Sequence, residues 1–377
     1  MRSKGHPVAV IKLSEKMEIF SSPGVSNLGN TISDTLMIME VPKLYDRRDP
    51  LDHLEEIRKD LKLPDNTVGF MTAAELEYVT TIEETEFEGM RTIAVATAGL
   101  GNQTEAGDVI EDMDARLIRS LEKEKKIRAR RPGTIITIAI SPVPLTDAAK
   151  ANSFIVMTEA KTAALRSLGH ESTGTTSDSV CIVSPIRGKR EEYCGTGTSL
   201  GISIARSVKN AVRNALIKRE DYPETGTFMD KLEKMGITEE RMWDAAMQIY
   251  YPNPEWDTDR MRQMFRSLLA IYSKDINVSS LIQAAIELER LGNKDMICAM
   301  PRGMFATDPI HLIADEILGM QVAQYIAGTR GIFEFHRFDR HKPGIIKELG
   351  PFMDDIICGL VGGMMSSIYT RLFDGDI

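Results

Sequence analysis

Asp221-Tyr222-Pro223-Glu224-Thr225-Gly226 divides this sequence into two unlike halves. Proline fixes φ and removes a backbone donor, and glycine adopts conformations that end a helix, so the stretch reads as a linker. Before it, β-branched runs predict strands over residues 8–13, 36–41, 92–97, 134–140 and 180–184. Helical spacing of apolar residues predicts helices over 50–61, 146–168 and 199–218. After the linker strand signals nearly vanish, and helices are predicted over 229–235, 239–250, 257–273, 279–291, 309–328 and 353–372. The expected fold is an N-terminal mixed α/β (α+β) layered domain, residues 1–222, followed by a C-terminal all-α multihelical domain, residues 223–377. The length of 377 residues suits two such domains.

Charge follows the same division. The chain carries 46 Lys and Arg against 55 Asp and Glu. Up to residue 220 the count is 30 basic and 31 acidic, a net of −1; the remainder holds 16 and 24, a net of −8. An acidic balance argues against nucleic acid as a partner, because phosphate backbones need a basic face. Four cysteines, Cys181, Cys194, Cys298 and Cys358, form neither a disulfide framework nor a CxxC metal pattern, so reduced thiols in a cytoplasmic protein are expected. No apolar signal segment is apparent at the start, and the uncharged stretch 356–370 is shorter than the roughly 20 residues that span a bilayer, so no membrane span is expected.

In the first half, glycine-punctuated stretches mark candidate ligand contacts. Thr97-Ala98-Gly99-Leu100-Gly101-Asn102, with Gly107-Asp108 behind it, follows a predicted strand. Thr158-Glu159-Ala160-Lys161-Thr162 lies in a helix, and Gly174-Thr175-Thr176-Ser177-Asp178 precedes a strand. Glycines at strand ends let backbone approach a ligand, although for any one stretch a tight turn is the plainer reading. Gly195 to Gly201 resembles a phosphate cradle at a helix start but lacks the lysine of a P-loop. Histidines are few here (His6, His53, His170), which disfavours a Ser-His-Asp triad. Hydrolysis would then fall to a carboxylate, Glu159 or Asp178, or to a hydroxyl of Thr175, Thr176 or Ser177. Asn102, Asp108 and Lys161 are candidate substrate contacts; Glu159 and Lys161, two apart, point to different helix faces. The basic run 123–131 reads as a solvated helix end or an exposed loop.

The strings Thr146-Asp147-Ala148-Ala149-Lys150-Ala151-Asn152, residues 158–165 and 173–178, together with Ser21-Ser22, Asn27 and 97–102, resemble the adenosylcobinamide amidohydrolase family over nearly all of 1–220. The resemblance implies hydrolysis of the amide that joins aminopropanol to the corrinoid ring, a salvage step in cobalamin assembly.

In the second half, Asp308-Pro309 is expected to open a helix carrying Asp315 and Glu316, with 308 and 315 seven apart and on one face. Asp354-Asp355 opens the last helix. Two acidic clusters on helices suit a hard cation held by oxygens, such as Mg²⁺. Arg337 and Lys342 between them are suited to clamp a phosphoryl group, with Asp339 orienting the arginine or assisting proton transfer. A helix cap at Asp354 and surface acids elsewhere are the plainer alternative. The pattern Asp308-Pro309, Asp315-Glu316-x-x-Gly319, Arg337-Phe338-Asp339-x-x-Lys342-Pro343 and Asp354-Asp355-x-x-x-Gly359 resembles the phosphatidylglycerophosphatase A family, all-helical and Mg²⁺-dependent. Residues 325–331, 252–256 and 275–281 are similar to its soluble archaeal branch, the α-ribazole-5′-phosphate phosphatases, over roughly 226–377.

Together the resemblances imply a bifunctional hydrolase of cobalamin salvage acting on two small molecules, adenosylcobinamide and α-ribazole 5′-phosphate. The competing readings are a non-catalytic corrinoid-binding half fused to a phosphatase, and a peripheral phosphatidylglycerophosphate phosphatase.

Overall fold

The computed structural model describes residues 1–22, 29–42, 45, 48–108, 133–219 and 226–374. Asn27, the basic run 123–131 and linker residues 221–225 lie outside these. The chain forms two compact units, Met1–Pro223 and Glu224–Ile377.

The described elements of the first unit run β1 (Arg2–Ser3), β2 (His6–Ser21), β3 (Gly29–Glu40), α1 (Pro50–Asp60), β4 (Val68–Thr72), α2 (Leu76–Val79), β5 (Thr80–Phe87), β6 (Met90–Thr97), β7 (Gln103–Thr104), β8 (Ile136–Ile140), α3 (Asp147–Ser167), β9 (Gly174–Thr175), β10 (Ser179–Ser184) and α4 (Ser199–Lys218). The main sheet has the order β4-β3-β2-β10-β8-β6-β5, with β1 paired to β2, while β7 and β9 form a separate pair. β3 and β4 are parallel, as are β8 and β10; β2–β3, β2–β10, β6–β8 and β5–β6 are antiparallel. Besides the two-residue strands β1, β7 and β9, the sequence pattern passes over β4 and β5, which end the described main sheet on either side. β5 carries Glu83, Glu84 and Glu86 and leaves Ile82 exposed, the charged composition by which an edge discourages further pairing.

Alternation places the core. Ala94, Ala96 and Ala139 join the cluster formed with α3 and α4, while Val95, Ile136 and Ile138 pack with Ile19, Leu36, Cys181 and Val183. α4 contributes Leu200, Ile204, Val208, Ala211 and Ala215 at three- and four-residue spacing. Each fully buried Leu, Ile or Val side chain in this set contributes about 1.5–3 kcal/mol. Both long helices are capped: Thr146 Oγ1 accepts from Ala149 N at 3.2 Å, and Thr198 Oγ1 from Gly201 N at 3.0 Å.

The second unit is helical: α5 (Phe228–Lys234), α6 (Glu239–Gln248), α7 (Thr258–Tyr272), α8 (Ile276–Gly292), α9 (Ala314–His341) and α10 (Pro351–Asp374), with 3₁₀ turns at Phe305–Thr307 and Gly344–Glu348. The expected helix start at Asp308 is corrected here. Asp308 follows the first 3₁₀ turn with φ 46°, and α9 begins only at Ala314. Pro309 therefore sits in a connection rather than at a helix start. The expected helix end at Gly328 coincides with a break: Ala327 (φ −139°) and Gly328 (φ 60°) are non-helical, and a second helical arm, also part of α9, runs on to His341. That break reverses the chain. A Cβ on Gly319 would meet Phe335 Cε2 at 2.6 Å, yet residues 16 apart on a straight helix are about 24 Å apart. α9 is thus two arms folded against each other, and α10 packs against both.

Gly319 and Gly359 permit the closest approach. A Cβ on Gly359 would lie 2.1 Å from Gly319 O, and one on Gly319 would lie 2.3 Å from Asp355 O. α10 is long and apolar enough to cross a membrane by length and composition. It is buried continuously from Phe352 to Ser366, which accounts for its composition as that of a core helix.

Candidate functional site

In the second unit the folded-back α9 brings its start, its end and the first turns of α10 to one place. On a straight helix Asp315 and Lys342 would be about 40 Å apart. Here, side-chain oxygens of Asp315, Glu316 and Asp355 lie within 4.8 Å of one another. Lys342 adopts φ 39° as the cap of α9, and its Nζ donates to Asp354 Oδ2. The same ammonium lies 3.9 Å from Asp339 Oδ1 and 4.0 Å from Asp308 Oδ2. Asp315, Asp354 and Asp355 are buried.

The electrostatics concentrate negative charge in a buried space. Burial raises the Asp355 carboxyl, and Asp354, Asp339, Asp315 and Glu316 raise it further. Asp315 is raised by burial and then by Glu316. Burial also pushes Asp354 up to about 6, against the pull of Lys342. Burial opposes the charge on Lys342, but its hydrogen bond to Asp354 and the surrounding carboxylates more than offset it, so its affinity for the proton is raised. Glu316 Oε2, Asp354 Oδ1 and Asp355 Oδ1 are buried without a hydrogen-bond partner among the described residues. Unsatisfied buried carboxylate oxygens are costly unless a cation or proton meets them. This donor set, all oxygen and strongly anionic, fits a hard divalent ion.

Arg337 is not where the sequence reading places it. Its guanidinium donates to both oxygens of buried Glu334, at 2.9 and 2.8 Å, and to Ile249 O at 2.8 Å. Five residues before Lys342, it points to a different side of the arm and ties α9 to the end of α6. Glu334, its partner, carries no motif signal.

In the first unit the structure gathers most of the proposed residues before the first residues of β8 and β10. Asp178 is saturated: Oδ2 accepts from Lys161 Nζ at 2.5 Å and Thr175 N at 3.1 Å, Oδ1 from Thr175 Oγ1 at 2.5 Å and Ile135 N at 3.1 Å. Ser177 Oγ pairs with Thr134 Oγ1 at 2.8 Å, and Asn102 Nδ2 donates to Thr176 Oγ1 at 2.8 Å. Glu159 stands apart from this group. It is exposed on α3 while Lys161 is buried, since two residues turn a helix by about 200°. Asp108 is also apart, exposed and accepting from Glu105 N in a local turn.

A second feature of this unit escapes the sequence reading. Glu18, Asn30, Thr146, Asp147, Lys150 and Arg190 line a cavity of about 730 Å³ at the start of α3. The only signal for it was the string 146–152, which opens a helix just after a strand.

Comparison with known proteins follows the two units. The family described as adenosylcobinamide amidohydrolase matches residues 1–224, and that described as phosphatidylglycerophosphatase A matches residues 280–370. An uncharacterised protein of Methanocaldococcus jannaschii is 37% identical over 130 residues, which is 33% of this chain and 98% of that protein. An adenosylcobinamide amidohydrolase of Methanosarcina mazei is 27% identical over 200 residues, 50% of this chain and 86% of that protein. One of Halobacterium salinarum is 36% identical over 89 residues, 24% of this chain and 38% of that protein.

Proposed function

We propose, for a chain that belongs to the adenosylcobinamide amidohydrolase family, two hydrolytic activities of cobalamin salvage: the first unit cleaves the aminopropanol amide of adenosylcobinamide to adenosylcobyric acid, and the second removes phosphate from α-ribazole 5′-phosphate. The amide reading rests on the match across 1–224 and on the named amidohydrolases among the relatives.

The single observation that carries the phosphatase reading is the set of three buried, unpartnered carboxylate oxygens beside Lys342. Asp315, Glu316 and Asp355 would hold Mg²⁺, with Asp354 and Asp308 beside them. A bound Mg²⁺ would supply charge neutralisation at the phosphoryl oxygens. Lys342 binds a phosphoryl oxygen through Nζ, and the carboxylates around it keep that nitrogen charged and aimed. Asp339, partly exposed and 3.9 Å from Lys342, accepts a proton from attacking water at its carboxylate. Arg337 acts one step back by fixing the arm that carries Asp339 and Lys342. In the first unit Asp178 positions Lys161 and Thr175.

The test is phosphate release from α-ribazole 5′-phosphate by folded Asp315→Ala and Asp355→Ala proteins. Losses of about 10² or more are expected; near wild-type rates in both defeat the reading. Turnover of phosphatidylglycerophosphate in preference to the nucleotide would replace the substrate and keep the site.

A further inference from the structure

The cavity at the start of α3 lies outside the carboxyl ends of the parallel pair β8 and β10. Residues 141–145 lead from β8 to α3 and end at Thr146, and the segment after β10 supplies Arg190. Glu18 on β2 pairs in register with Ser184, the last residue of β10. Open α/β sheets take their ligands at this end of the strands. The cluster around Asp178 is at the opposite end of the same two strands, roughly 15–20 Å away at 3.3 Å per residue; Asp178 itself is fully engaged there, and Asn102 Oδ1 is the cluster's buried oxygen without a hydrogen-bond partner among the described residues.

The charges in the cavity are fixed. Lys150, with its side chain 3% exposed, donates to Glu18 Oε2 at 2.9 Å, Asp147 Oδ1 at 3.1 Å and Asn30 Oδ1 at 3.1 Å. All three ammonium donors are therefore committed. Arg190 grips both oxygens of Glu18, at 3.1 and 2.8 Å, and donates to Leu145 O. What is left over is specific. Among the described residues no hydrogen bond engages Arg190 Nε or Asp147 Oδ2, and both side chains reach solvent, at 41% and 84% exposure. Two acids and two bases cancel, so neither an anion nor a cation gains from the site as a whole. A neutral group that offers an acceptor and a donor together complements it.

On the amidohydrolase reading above, we propose that this cavity binds the amide-bearing part of the substrate. A carboxamide carbonyl accepts from the Arg190 guanidinium, and its N–H donates to Asp147 Oδ2. Lys150 is a positioning residue that holds Asp147, Asn30 and Glu18 in place. At about 730 Å³ the cavity falls within the range of small-molecule sites and accommodates a side chain of a large ring rather than the whole ring.

The experiment uses the full chain with adenosylcobinamide and follows aminopropanol release. Asp147→Ala and Arg190→Gln are each expected to raise KM about 10-fold or more, with kcat within about threefold, because each removes a charge-assisted hydrogen bond made on binding. Asp147→Asn, which keeps an acceptor oxygen, is expected to recover much of the loss. Unchanged KM in folded Asp147→Ala overturns the proposal, as does a rise in KM confined to Asn102→Ala and Thr176→Ala. Arg190→Gln risks misfolding through Glu18, but the exposed Asp147 decides the matter alone. If the wild-type chain releases no aminopropanol, the amidohydrolase reading fails by itself. Equilibrium dialysis of adenosylcobinamide against wild type and Asp147→Ala then still decides the cavity: weaker binding by the variant supports it, and equal binding overturns it.

Discussion

Asp355 shares a buried space with Asp315, Asp354 and Glu316, and its ionised form is opposed by burial and by each of those neighbours. A carboxylate so placed costs stability unless a cation or a proton meets it. Replacing it with the neutral Asn is expected to raise the unfolding temperature of the metal-free protein and to shrink the further rise produced by Mg²⁺, while phosphate release falls about 10² or more. A lower metal-free unfolding temperature in Asp355→Asn would show that the ionised carboxylate is not the source of the cost. Glu55 gives the opposite sign. Arg58 Nε and Nη2 donate to its two oxygens at 2.7 Å each, and that pairing holds its carboxyl down at about 2. A lowered folded value stabilises above the unfolded value, and the contribution disappears as pH falls from about 4.5 through about 2. NMR titration of the Glu55 carboxyl should show that low midpoint and its return toward the ordinary range in Arg58→Met. Of the buried carboxylate cluster, the acids at 315, 316, 354 and 355 were legible as two adjacent acidic pairs in helical stretches, whereas the seven-residue spacing of 308 and 315 misled because α9 begins only at Ala314. The actual engagement of Arg337 was not legible, because its partner Glu334 is one unmarked glutamate three residues away.

At the level of elements, the two arms of α9 depend on two glycines for different reasons. Gly359 has backbone against it, since a Cβ there would lie 2.1 Å from Gly319 O and neither helix can yield without repacking. Gly359→Ala is expected to cost about 1–3 kcal/mol or more in chemical denaturation. Gly328 has open space around it but φ 60° and ψ −146°, a conformation for which side chains incur about 1–3 kcal/mol of strain. Gly328→Ala should therefore destabilise without overpacking, so a flanking relief such as Ala327→Gly leaves its cost unchanged. Equal tolerance of both substitutions would contradict the folded-back arm. The periodicity of residues 309–328 announced a helix that forms from Ala314 onward, but it could not announce the reversal, because a turn within a helical pattern is written only in one glycine. The edge strands β4 and β5 were missed for different reasons. β5 alternates exposed and half-buried residues under a glutamate-rich composition, whereas β4 is buried on both faces but is only five residues long and interrupted by Gly69, too short a run to stand out.

Across the whole molecule, the fold class was readable because strand signals stop where the Pro- and Gly-containing linker begins, and because each half has enough apolar residues for its own core. The net charges of −1 and −8 now divide by task. The acidic half holds the buried carboxylate set, and the near-neutral half holds a cavity whose charges cancel. This separation carries the last expectation. Mg²⁺ bound only by the folded second unit, as proposed, would stabilise it by RT ln(1 + [Mg²⁺]/Kd), about 2.7 kcal/mol at 100 times Kd. The first unit has no comparable acidic group among its described residues. Calorimetry of the full chain should then resolve two transitions, of which Mg²⁺ moves one upward and leaves the other in place. Chelation should abolish phosphate release and spare aminopropanol release. Asp355→Asn should remove the metal-dependent shift, whereas Asp147→Ala should leave it intact. A single transition moved as one by Mg²⁺, with both activities lost on chelation, would mean instead that the two units fold and work as one.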